Sequence, residues 1–479
     1  MNNVNMKKPN ILLIVMDSAR AANFSCYGYS RPTTPNLDKF AQDGVLFEQA
    51  IAEGCWSLPV HTSLFTGVYP LCHGITTSKD ALPDGYPTLA RMLKDNGYYT
   101  CCFTNNAYVS SHYGLIQGFE KVDEVWRAMQ KRGVERPLGL RMIKQLEKRD
   151  RLARSLIQGI KLVRRLKKMF RQKQRLTDSG AKLTNERIQK WMNEEWDRSR
   201  PFFMFVNFME VHEKYDPPHP FDRRFMPSWY SPRRVAKVSP NKSEVLSGRN
   251  KRRKEDLEIL QALYDGEMNY LDHRLGELFQ FLKSKGIQDE TLIVVTADHG
   301  EGLGEHDHLG HRKALFEELV HVPLLIRYPR LFPAGSRVPY QVQLADLVPT
   351  FLDIAGVSVD KSRMNGFQSL RALPQQEIRP FTVAENTAIK SLDGVVARMI
   401  RTRTHKYIWK SSEQHELYDL VNDPGETKNV SGEQPEIARH LHAQLEEWQR
   451  AHAGQQTEKR ESDADEVVEE RLRALGYMS

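Results

Sequence analysis

Residues 9–20 read PNILLIVMDSAR, and this stretch indicates the kind of fold to expect. Six apolar residues, 11–16, form a run that is too short for the apolar core of a signal peptide and far too short to cross a bilayer. A strand buried on both faces of a parallel sheet has this length and this continuous apolar character. We therefore predict the first strand of a central sheet, with Asp17 at its carboxyl end.

Similar apolar runs recur at 201–208 and 292–296, and helix-like stretches occur at 36–44, 86–97 and 255–285. This alternation predicts an α/β fold with a large, mostly parallel (mixed) central sheet and helices on both faces. In such sheets, ligands bind beyond the carboxyl ends of the strands. Polar residues follow each apolar run at this position: Asp17, then Glu210 and His212, then Asp298 and His299.

The chain is long enough for one large unit and one small unit. We predict a catalytic α/β domain at residues 1–380 and a smaller C-terminal domain with a short antiparallel sheet at residues 381–479. The small domain is expected to contain two strands and a helix, at 394–402, 405–410 and 435–452. The polar, charged tail at about 454–470 is expected to be loosely ordered.

Composition places the chain among soluble globular proteins, because 40% of its 479 residues are apolar and 27% are charged. Its five cysteines follow neither a zinc-site spacing nor the even-numbered framework of a secreted disulfide-rich protein. We therefore expect a reducing compartment and a cytoplasmic location.

Positive charge is concentrated in one segment. The net charge is +8, yet residues 127–175 hold 18 Lys or Arg against 3 Asp or Glu, so the rest of the chain is net negative. We predict a charged, helical insertion at about 127–200. Within it, apolar residues at helical spacing in 151–173 fit a helix on an anionic membrane or polymer, or one that packs its apolar face on the core. No nucleic-acid-binding module is recognisable, and the oligomeric state is not predicted.

The first strand ends in Asp17, and Arg20 follows three residues later. A carboxylate at this place can bind a divalent metal through oxygen, and a guanidinium beside it can hold an anionic ester. A salt-bridged aspartate that caps the next turn is the alternative.

Ser57 lies in the segment CWSLPVHTSLFTGVYP, residues 55–70, just before a proline and an apolar helical stretch. A helix N-terminus attracts anions through its free amides and dipole, and it favours an ionised nucleophile. An ordinary N-cap serine is the alternative.

Asp298 and His299 lie in VTADHGEGLGEH, residues 295–306. A carboxylate and an imidazole after a strand, with glycines that allow close backbone approach, are typical of a mixed oxygen and nitrogen metal site. Of the five histidines between 299 and 321, we select His299 and His311 as site candidates and expect others to be structural or exposed.

In order and spacing, these segments resemble the sulfatase family of the alkaline phosphatase superfamily. The resemblance rests on PNILLIVMDSAR, SLPVHTSLFTGVYP, TADHGEGLGEH and GHRKALFEELVHVPLLI. Similarities at 201–212 (PFFMFVNFMEVH), 345–350 (ADLVPT) and 416–420 (ELYDL) extend it across nearly the whole chain. The ordered combination is specific, although no single motif is.

The resemblance implies a metal-dependent hydrolase of an anionic ester with a serine at the nucleophile position. It implies that Asp17, Asp298 and His299 hold one divalent metal ion, with Ser57 bridging from the metal to the substrate. The implied catalytic side chains besides Ser57 are His61, His212 and His311. The implied substrate-binding side chains are Arg20, Asn105 and Asn106.

Three positions depart from the family pattern. His61 stands where an Arg is expected, Ser18 where many relatives have a second metal-binding Asp, and His311 near the relatives' active-site Lys. Fewer anionic ligands suit Zn²⁺ or Mn²⁺ better than Ca²⁺. The family oxidises its Cys or Ser nucleophile to formylglycine, and these departures leave the modification of Ser57 open.

The leading prediction is cleavage of a sulfate ester through Ser57, possibly as formylglycine. The alternative is hydrolysis of a phosphodiester, phosphate or phosphonate monoester, or phosphotransfer, by unmodified Ser57. A third hypothesis is a non-catalytic anion- or membrane-binding protein on the same fold, which would need neither Asp17 nor Asp298.

Overall fold

A computed structural model describes residues 8–133, 178–231, 234–235, 238, 254–311, 314–358, 364–372, 376–386, 395–454 and 458–475. Its α-helices are α1 (Pro35–Gln42), α2 (Ser57–Thr66), α3 (Pro70–His73), α4 (Leu89–Asp95), α5 (Val125–Gly133), α6 (Ala181–Glu194), α7 (Lys254–Ser284), α8 (Glu317–Val320), α9 (Leu347–Ile354), α10 (Pro435–Ala453) and α11 (Glu466–Ala474). Its strands are β1 (Asn10–Met16), β2 (Val45–Ile51), β3 (Asp80–Ala81), β4 (Tyr99–Thr104), β5 (Lys121–Glu124), β6 (Phe202–Phe208), β7 (Thr291–Thr296), β8 (Gly302–Leu303), β9 (Leu309–Gly310), β10 (His321–Arg327), β11 (Ser336–Gln343), β12 (Thr382–Asn386), β13 (Ala397–Arg401), β14 (His405–Lys410), β15 (Glu416–Asp419) and β16 (Arg460–Glu461).

Eight strands of the described residues form the central sheet, in the order β11–β2–β10–β7–β1–β6–β4–β5. Strand β1 pairs in parallel with β6 on one side and with β7 on the other. Strand β10 is antiparallel to both of its neighbours, β7 and β2. The sheet is therefore mixed and mostly parallel, which confirms the predicted class.

Strand β6 contacts helices on both faces of the sheet. Phe205 packs edge-on against Phe65 of α2, with ring centroids 4.8 Å apart. Its near neighbour Phe202 packs against Trp191 of α6, with ring centroids 6.0 Å apart. Side chains of a strand alternate between faces, so α2 and α6 lie on opposite sides of the sheet. Coverage on both faces is the reason that β1, β6 and β7 are buried along their whole length.

A second sheet contains β12, β13, β14 and β15, antiparallel and in chain order. Helix α10 packs on β13 and β14 and buries Leu441, Leu445 and Trp448. The strands predicted at 394–402 and 405–410 are observed as β13 and β14, and the helix predicted at 435–452 as α10. The predicted short antiparallel sheet is therefore confirmed, and the domain division at residue 380 stays a prediction.

The described part of the tail, 458–475, packs against an early part of the chain. Strand β16 pairs with β3, and the Lys459 ammonium lies 2.8 Å from the Asp80 carboxylate. Helix α11 buries Val468 and Leu472 completely. The expected loose order of this tail is therefore wrong, because two apolar residues four positions apart give α11 a face to bury.

The stretch at 151–173, for which a membrane contact is predicted, lies outside the described residues. Within the predicted insertion, α6 buries Ile188 and Trp191 and so contributes to the helical layer on the sheet. None of the described helices combines the length and the apolar content that a bilayer crossing requires.

The helix predicted at 86–97 begins later than expected, at Leu89. The side chain of Thr88 caps it by accepting a hydrogen bond from the Arg91 amide at 3.3 Å. A threonine in the N-cap position satisfies one of the free amides of the first turn, so the helix starts directly after it.

Candidate active site

The carboxyl ends of β1 and β7 bring three polar side chains together. The two strands are parallel neighbours, so Asp17 after β1 lies beside Asp298 and His299 after β7. One ligand atom from each of these three side chains lies within 4.8 Å of the other two. All three are fully buried. The predicted metal ligands therefore form one compact cluster.

The positive charge near the two carboxyl groups of this cluster is too small to keep both of them at their ordinary pKa. Burial and the neighbouring Asp298 raise the pKa of Asp17 to about 7, and burial raises the pKa of Asp298 above its ordinary value. Two buried carboxylates at close range disfavour their shared ionised state. A divalent cation would offset this charge, and two carboxylates with one imidazole nitrogen form a suitable set of ligands. These residues therefore fit a metal ion chemically.

Ser57 begins α2 and points its hydroxyl at the cluster. Its Oγ lies 3.3 Å from His299 Nε2 and 3.5 Å from Asp17 Oδ2. Every residue of α2 is buried, so the amides of its first turn face the interior rather than bulk water. The free amides of a helix N-terminus stabilise negative charge. Ser57 is thus placed where a developing anion would be stabilised.

His61 lies one helical turn after Ser57 and contacts its backbone rather than its hydroxyl. His61 Nδ1 donates a hydrogen bond to the Ser57 carbonyl oxygen at 2.8 Å and lies 3.5 Å from Asp298 Oδ2. The ring also packs edge-on against Phe205, with ring centroids 5.9 Å apart. His61 therefore links the start of α2 to the cluster of Asp17, Asp298 and His299.

A row of imidazole rings extends from the cluster. The His311 ring lies 4.5 Å from the His299 ring and 5.1 Å from the His212 ring, measured between centroids. His212 and His311 are 3% and 5% exposed, whereas His299 is fully buried. The structure therefore brings these two predicted catalytic histidines next to the cluster of Asp17, Asp298 and His299.

The two predicted asparagines have different surroundings. Asn106 Nδ2 donates to Asp17 Oδ2 at 2.7 Å, so this side chain orients a predicted metal ligand. Asn105 Nδ2 instead donates to Thr184 Oγ1 at 2.8 Å and to the Asn207 carbonyl oxygen at 3.0 Å. Asn105 thus joins β4 and β6 to α6, and its observed contacts are structural rather than directed at an anion.

Arg20 is engaged by the loop that follows β7. Its Nη1 lies 2.8 Å from Glu305 Oε1 and donates to the Glu301 carbonyl oxygen at 3.3 Å. The positive charge predicted for anion binding is therefore paired with a carboxylate. This contact connects the turn after β1 to the loop that carries His311.

Reasoning from the sequence missed Glu301 and Tyr264. Glu301 Oε1 lies 3.2 Å from His311 Nδ1, and Tyr264 contacts the backbone next to Asp17. Glu301 could have been noticed as an acidic residue two positions after His299. Tyr264 comes from the middle of the long helix α7 and carries no sequence signal, because only packing brings it to β1.

Family comparison covers most of the chain. A model of the family described as Sulfatase matches residues 9–357, and one described as N-sulphoglucosamine sulphohydrolase, C-terminal, matches residues 304–451. The N-acetylglucosamine-6-O-sulfatase of Bacteroides thetaiotaomicron is 23% identical over 529 aligned positions, which cover 95% of this chain and 89% of that protein.

Solved structures share the fold. The phosphonate monoester hydrolase of Agrobacterium radiobacter superposes with a TM-score of 0.69 at 23% identity, covering 93% of this chain and 96% of the other. A protein solved with its substrate D-glucosamine-2-N,6-O-disulfate superposes with a TM-score of 0.68 at 20% identity, covering 93% and 98%. At these identities the likeness shows the architecture, and the chemistry must be argued from this chain's own residues.

Proposed function

The chain belongs to the sulfatase family and is a hydrolase of that kind, and on this premise we propose that it cleaves a sulfate ester at a metal centre with Ser57 as the nucleophile. One observation carries the proposal. Three ligand atoms from Asp17, Asp298 and His299 meet within 4.8 Å, and the Ser57 hydroxyl lies 3.3 Å from the imidazole among them. A non-catalytic protein has no need for this convergence of buried, costly groups.

We assign the metal site to Asp17, Asp298 and His299, with Ser57 beside it. A bound divalent cation would supply positive charge that lowers the pKa of a coordinated oxygen and offsets charge on the ester oxygens. The site holds two carboxylates, and Ser18 stands where many relatives have another, so Zn²⁺ or Mn²⁺ is preferred over Ca²⁺.

The side chains of the site then have different roles in the reaction. The Ser57 hydroxyl, or a hydroxyl of its hydrated formylglycine, gives up its proton and attacks sulfur, while the bond from sulfur to the alcohol oxygen breaks and that oxygen takes up a proton. His61 holds the backbone of Ser57, which fixes the direction of attack. His212 and His311 lie on the accessible side of the cluster, where they contact the ester oxygens and the departing alcohol.

Release of the sulfate depends on the state of Ser57. If Ser57 is oxidised to formylglycine, the second hydroxyl of the sulfated hydrate loses its proton, the aldehyde re-forms and sulfate leaves, and water then rehydrates the aldehyde. If Ser57 is unmodified, water must attack the sulfur of the sulfated serine. Both routes consume one water and yield an alcohol and sulfate.

A second candidate is phosphoester or phosphonate monoester hydrolysis, or phosphotransfer, by unmodified Ser57. It is favoured by His61, which stands where relatives that carry formylglycine have an Arg, and by the likeness to a phosphonate monoester hydrolase. In this reaction Ser57 attacks phosphorus, an alcohol leaves, and water or an acceptor alcohol resolves the phosphorylated or phosphonylated serine.

Sulfated sugars are the first substrates to test, because one relative is an N-acetylglucosamine-6-O-sulfatase. We also propose a reducing, cytoplasmic location, in keeping with five cysteines whose spacing matches neither a zinc site nor a secreted disulfide framework. A peripheral contact of residues 151–173 with anionic membranes or polymers is a further proposal. Binding to vesicles that contain anionic lipid should fall when these residues are deleted, and unchanged binding would exclude this contact.

The decisive experiment combines mass spectrometry of the peptide that contains Ser57 with assays on sulfate monoesters, phosphodiesters and phosphonate monoesters. We expect sulfate release that chelation abolishes and that Zn²⁺ or Mn²⁺ restores. A peptide two hydrogens lighter than the sequence requires would establish formylglycine. The Ser57→Ala variant should be inactive, whereas Ser284→Ala at the exposed end of α7 should match the wild type.

Two outcomes would decide between the candidates. Turnover of a phosphodiester or phosphonate but of no sulfate ester, with Ser57 unmodified, would replace the leading proposal by the second. Failure to turn over any anionic ester at any metal loading would favour the non-catalytic hypothesis.

A further inference from the structure

Four histidines at the site are oriented through the same ring nitrogen. In three of them Nδ1 donates to a backbone carbonyl oxygen at 2.7 to 2.8 Å, namely His61, His212 and His299. In the fourth, His311, Nδ1 lies 3.2 Å from a carboxylate oxygen of Glu301. A carbonyl or carboxylate oxygen accepts a hydrogen bond from Nδ1, so Nε2 of each ring points away from that oxygen.

Of the contacts at Nδ1, that of His311 is the closest to a carboxylate, at 3.2 Å, whereas His61 Nδ1 lies 3.5 Å from Asp298 Oδ2. Glu301 is fully buried, and the His311 side chain is 1% exposed. A buried carboxylate is costly unless hydrogen bonds and opposite charge compensate for its lost hydration. A carboxylate on one nitrogen of an imidazole fixes both the tautomer and the plane of the ring. The Glu301–His311 pair therefore has stronger orienting power than a backbone carbonyl.

The position of the pair relative to the reacting groups is specific. The His311 ring lies between the rings of His299 and His212, at centroid distances of 4.5 Å and 5.1 Å. His299 Nε2 in turn lies 3.3 Å from Ser57 Oγ. A ring held in this place contacts an ester bound between Ser57 and the accessible side of the cluster.

The backbone around Glu301 is fixed independently of its side chain. The Gly300 amide donates to the Leu319 carbonyl oxygen at 2.8 Å, and Arg20 Nη1 donates to the Glu301 carbonyl oxygen at 3.3 Å. The carboxylate therefore projects from an anchored main chain, and replacing it by an amide need not release the loop.

We propose that Glu301 is a positioning residue: it holds His311 through Nδ1 so that Nε2 is turned towards the bound ester and Ser57, near the position where relatives carry a lysine. This inference rests on the proposed function, since it assigns a role within the same site. It also explains how a histidine can stand at that position, because Glu301 supplies the orientation that a short, rigid ring needs.

The first test is kinetic and uses Glu301→Gln, which keeps the size of the side chain and removes its charge. We expect kcat/KM to fall about 10- to 100-fold, the usual effect of losing such an orienting partner. The metal content and the thermal midpoint should stay at wild-type values. The matched control is Glu447→Gln, the same substitution on the exposed face of α10, which should leave kcat/KM unchanged.

Variants of His311 test the proposed pair by changing the partner of Glu301. His311→Lys restores a cation that can pair with Glu301, so it should retain more kcat/KM than His311→Gln. In the background of Glu301→Gln this advantage of lysine over glutamine should shrink, because the orienting carboxylate is gone. A merely structural role of Glu301 would leave the ratio of the two His311 variants unchanged.

The second test does not depend on turnover. In full-length protein labelled with ¹⁵N-histidine, the His311 resonances, identified by their loss in His311→Gln, should show a single tautomer with its proton on Nδ1. In Glu301→Gln the two tautomers should mix, because a side-chain amide can donate or accept. If the wild type turned over none of the esters, the proposed function would fail while this measurement still tested the pair.

Two results would overturn the inference. One is an unchanged His311 tautomer together with unchanged kcat/KM in Glu301→Gln. The other is loss of metal in that variant in proportion to its loss of activity, which would assign Glu301 to the metal site instead.

Discussion

The phenol of Tyr264 holds Ser18 in a left-handed backbone conformation beside the cluster of Asp17, Asp298 and His299. Its hydroxyl donates to the Ser18 carbonyl oxygen at 2.9 Å and accepts from the Arg20 amide at 3.0 Å. Ser18 has a φ of 62°, which is strained for a residue with a Cβ. In this conformation the Ser18 hydroxyl donates to Asp17 Oδ1 at 3.1 Å. A helix remote in sequence thus shapes the turn that presents Asp17, a proposed metal ligand.

The Tyr264→Phe variant should lose stability, because the Ser18 carbonyl and the Arg20 amide are left without this partner in a buried place. We expect the free energy of unfolding to fall by about 1 to 3 kcal/mol and metal affinity to weaken. Urea unfolding and metal titration measure both. Tyr99→Phe is the control, since Tyr99 is only part-buried at the start of β4. Equal stability of the two variants would contradict the bridging role.

The Ser18→Asp variant should shift metal preference. Aspartate tolerates a left-handed backbone better than most residues, and its carboxylate adds an anionic oxygen ligand next to Asp17. We expect Ca²⁺ affinity to rise roughly tenfold or more relative to Zn²⁺. Competition titrations of chelator-stripped protein give the ratio, and a ratio unchanged from wild type would show that residue 18 does not face the ion.

The Gly300→Ala variant should disturb the metal-binding cluster. A Cβ at this position would lie 2.0 Å from the Glu318 carbonyl oxygen, so the backbone beside His299 must shift. We expect a loss of about 1 to 3 kcal/mol in unfolding free energy and a lower metal content. Gly432→Ala is the matched control, because a Cβ there meets no atom within 4 Å. A Gly300→Ala variant as stable as this control would disprove the close approach.

Glu53 should make stability depend on pH. Burial raises the pKa of Glu53 to about 8 from its ordinary 4.5. The hydrogen bond that the Glu53 carboxylate accepts from the Ala345 amide lowers this pKa but does not cancel the effect of burial. Between these values the folded state binds the proton more tightly than the unfolded state does. The free energy of unfolding therefore falls as pH rises from about 4.5 to about 8, by ~1.4 kcal/mol for each unit of pKa shift.

The Glu53→Gln variant should lose this contribution, because an amide does not titrate. We expect a shallower decline of unfolding free energy between pH 5 and pH 8 than in the wild type. Denaturant unfolding at several pH values gives the slope, and Glu447→Gln should keep the wild-type slope. Identical slopes for Glu53→Gln and wild type would show that Glu53 has no raised pKa.

Adjacent valines in α11 test the packing of the tail. Val468 is fully buried and Val467 is 45% exposed. The Val468→Ala variant should lose about 1 to 3 kcal/mol of unfolding free energy, whereas Val467→Ala should change it by less than about 0.5 kcal/mol. Thermal unfolding distinguishes them, and equal midpoints would indicate that the tail is not part of the folded core.

Local pattern accounts for most of what the sequence predicted correctly. The apolar runs that became β1, β6 and β7 are long enough only for strands, and their lack of alternation reflects coverage on both faces. The order of the tail was not predicted correctly, because charged residues dominate its composition. Two buried residues four positions apart decide whether its helix packs. The start of α4 depends on the cap at Thr88, a detail that an apolar pattern does not reveal.

By itself, the sequence determined the fold class and the order of the motifs, and it selected Asp17, Asp298 and His299. Strand length, burial and residue chemistry are local properties, so they can be read along the chain. Only the tertiary structure decided that Arg20 pairs with Glu305, that Asn105 joins β4 and β6 to α6, and that Glu301 faces His311. These contacts join residues across the fold or across an irregular loop, and their geometry is set by how whole elements pack.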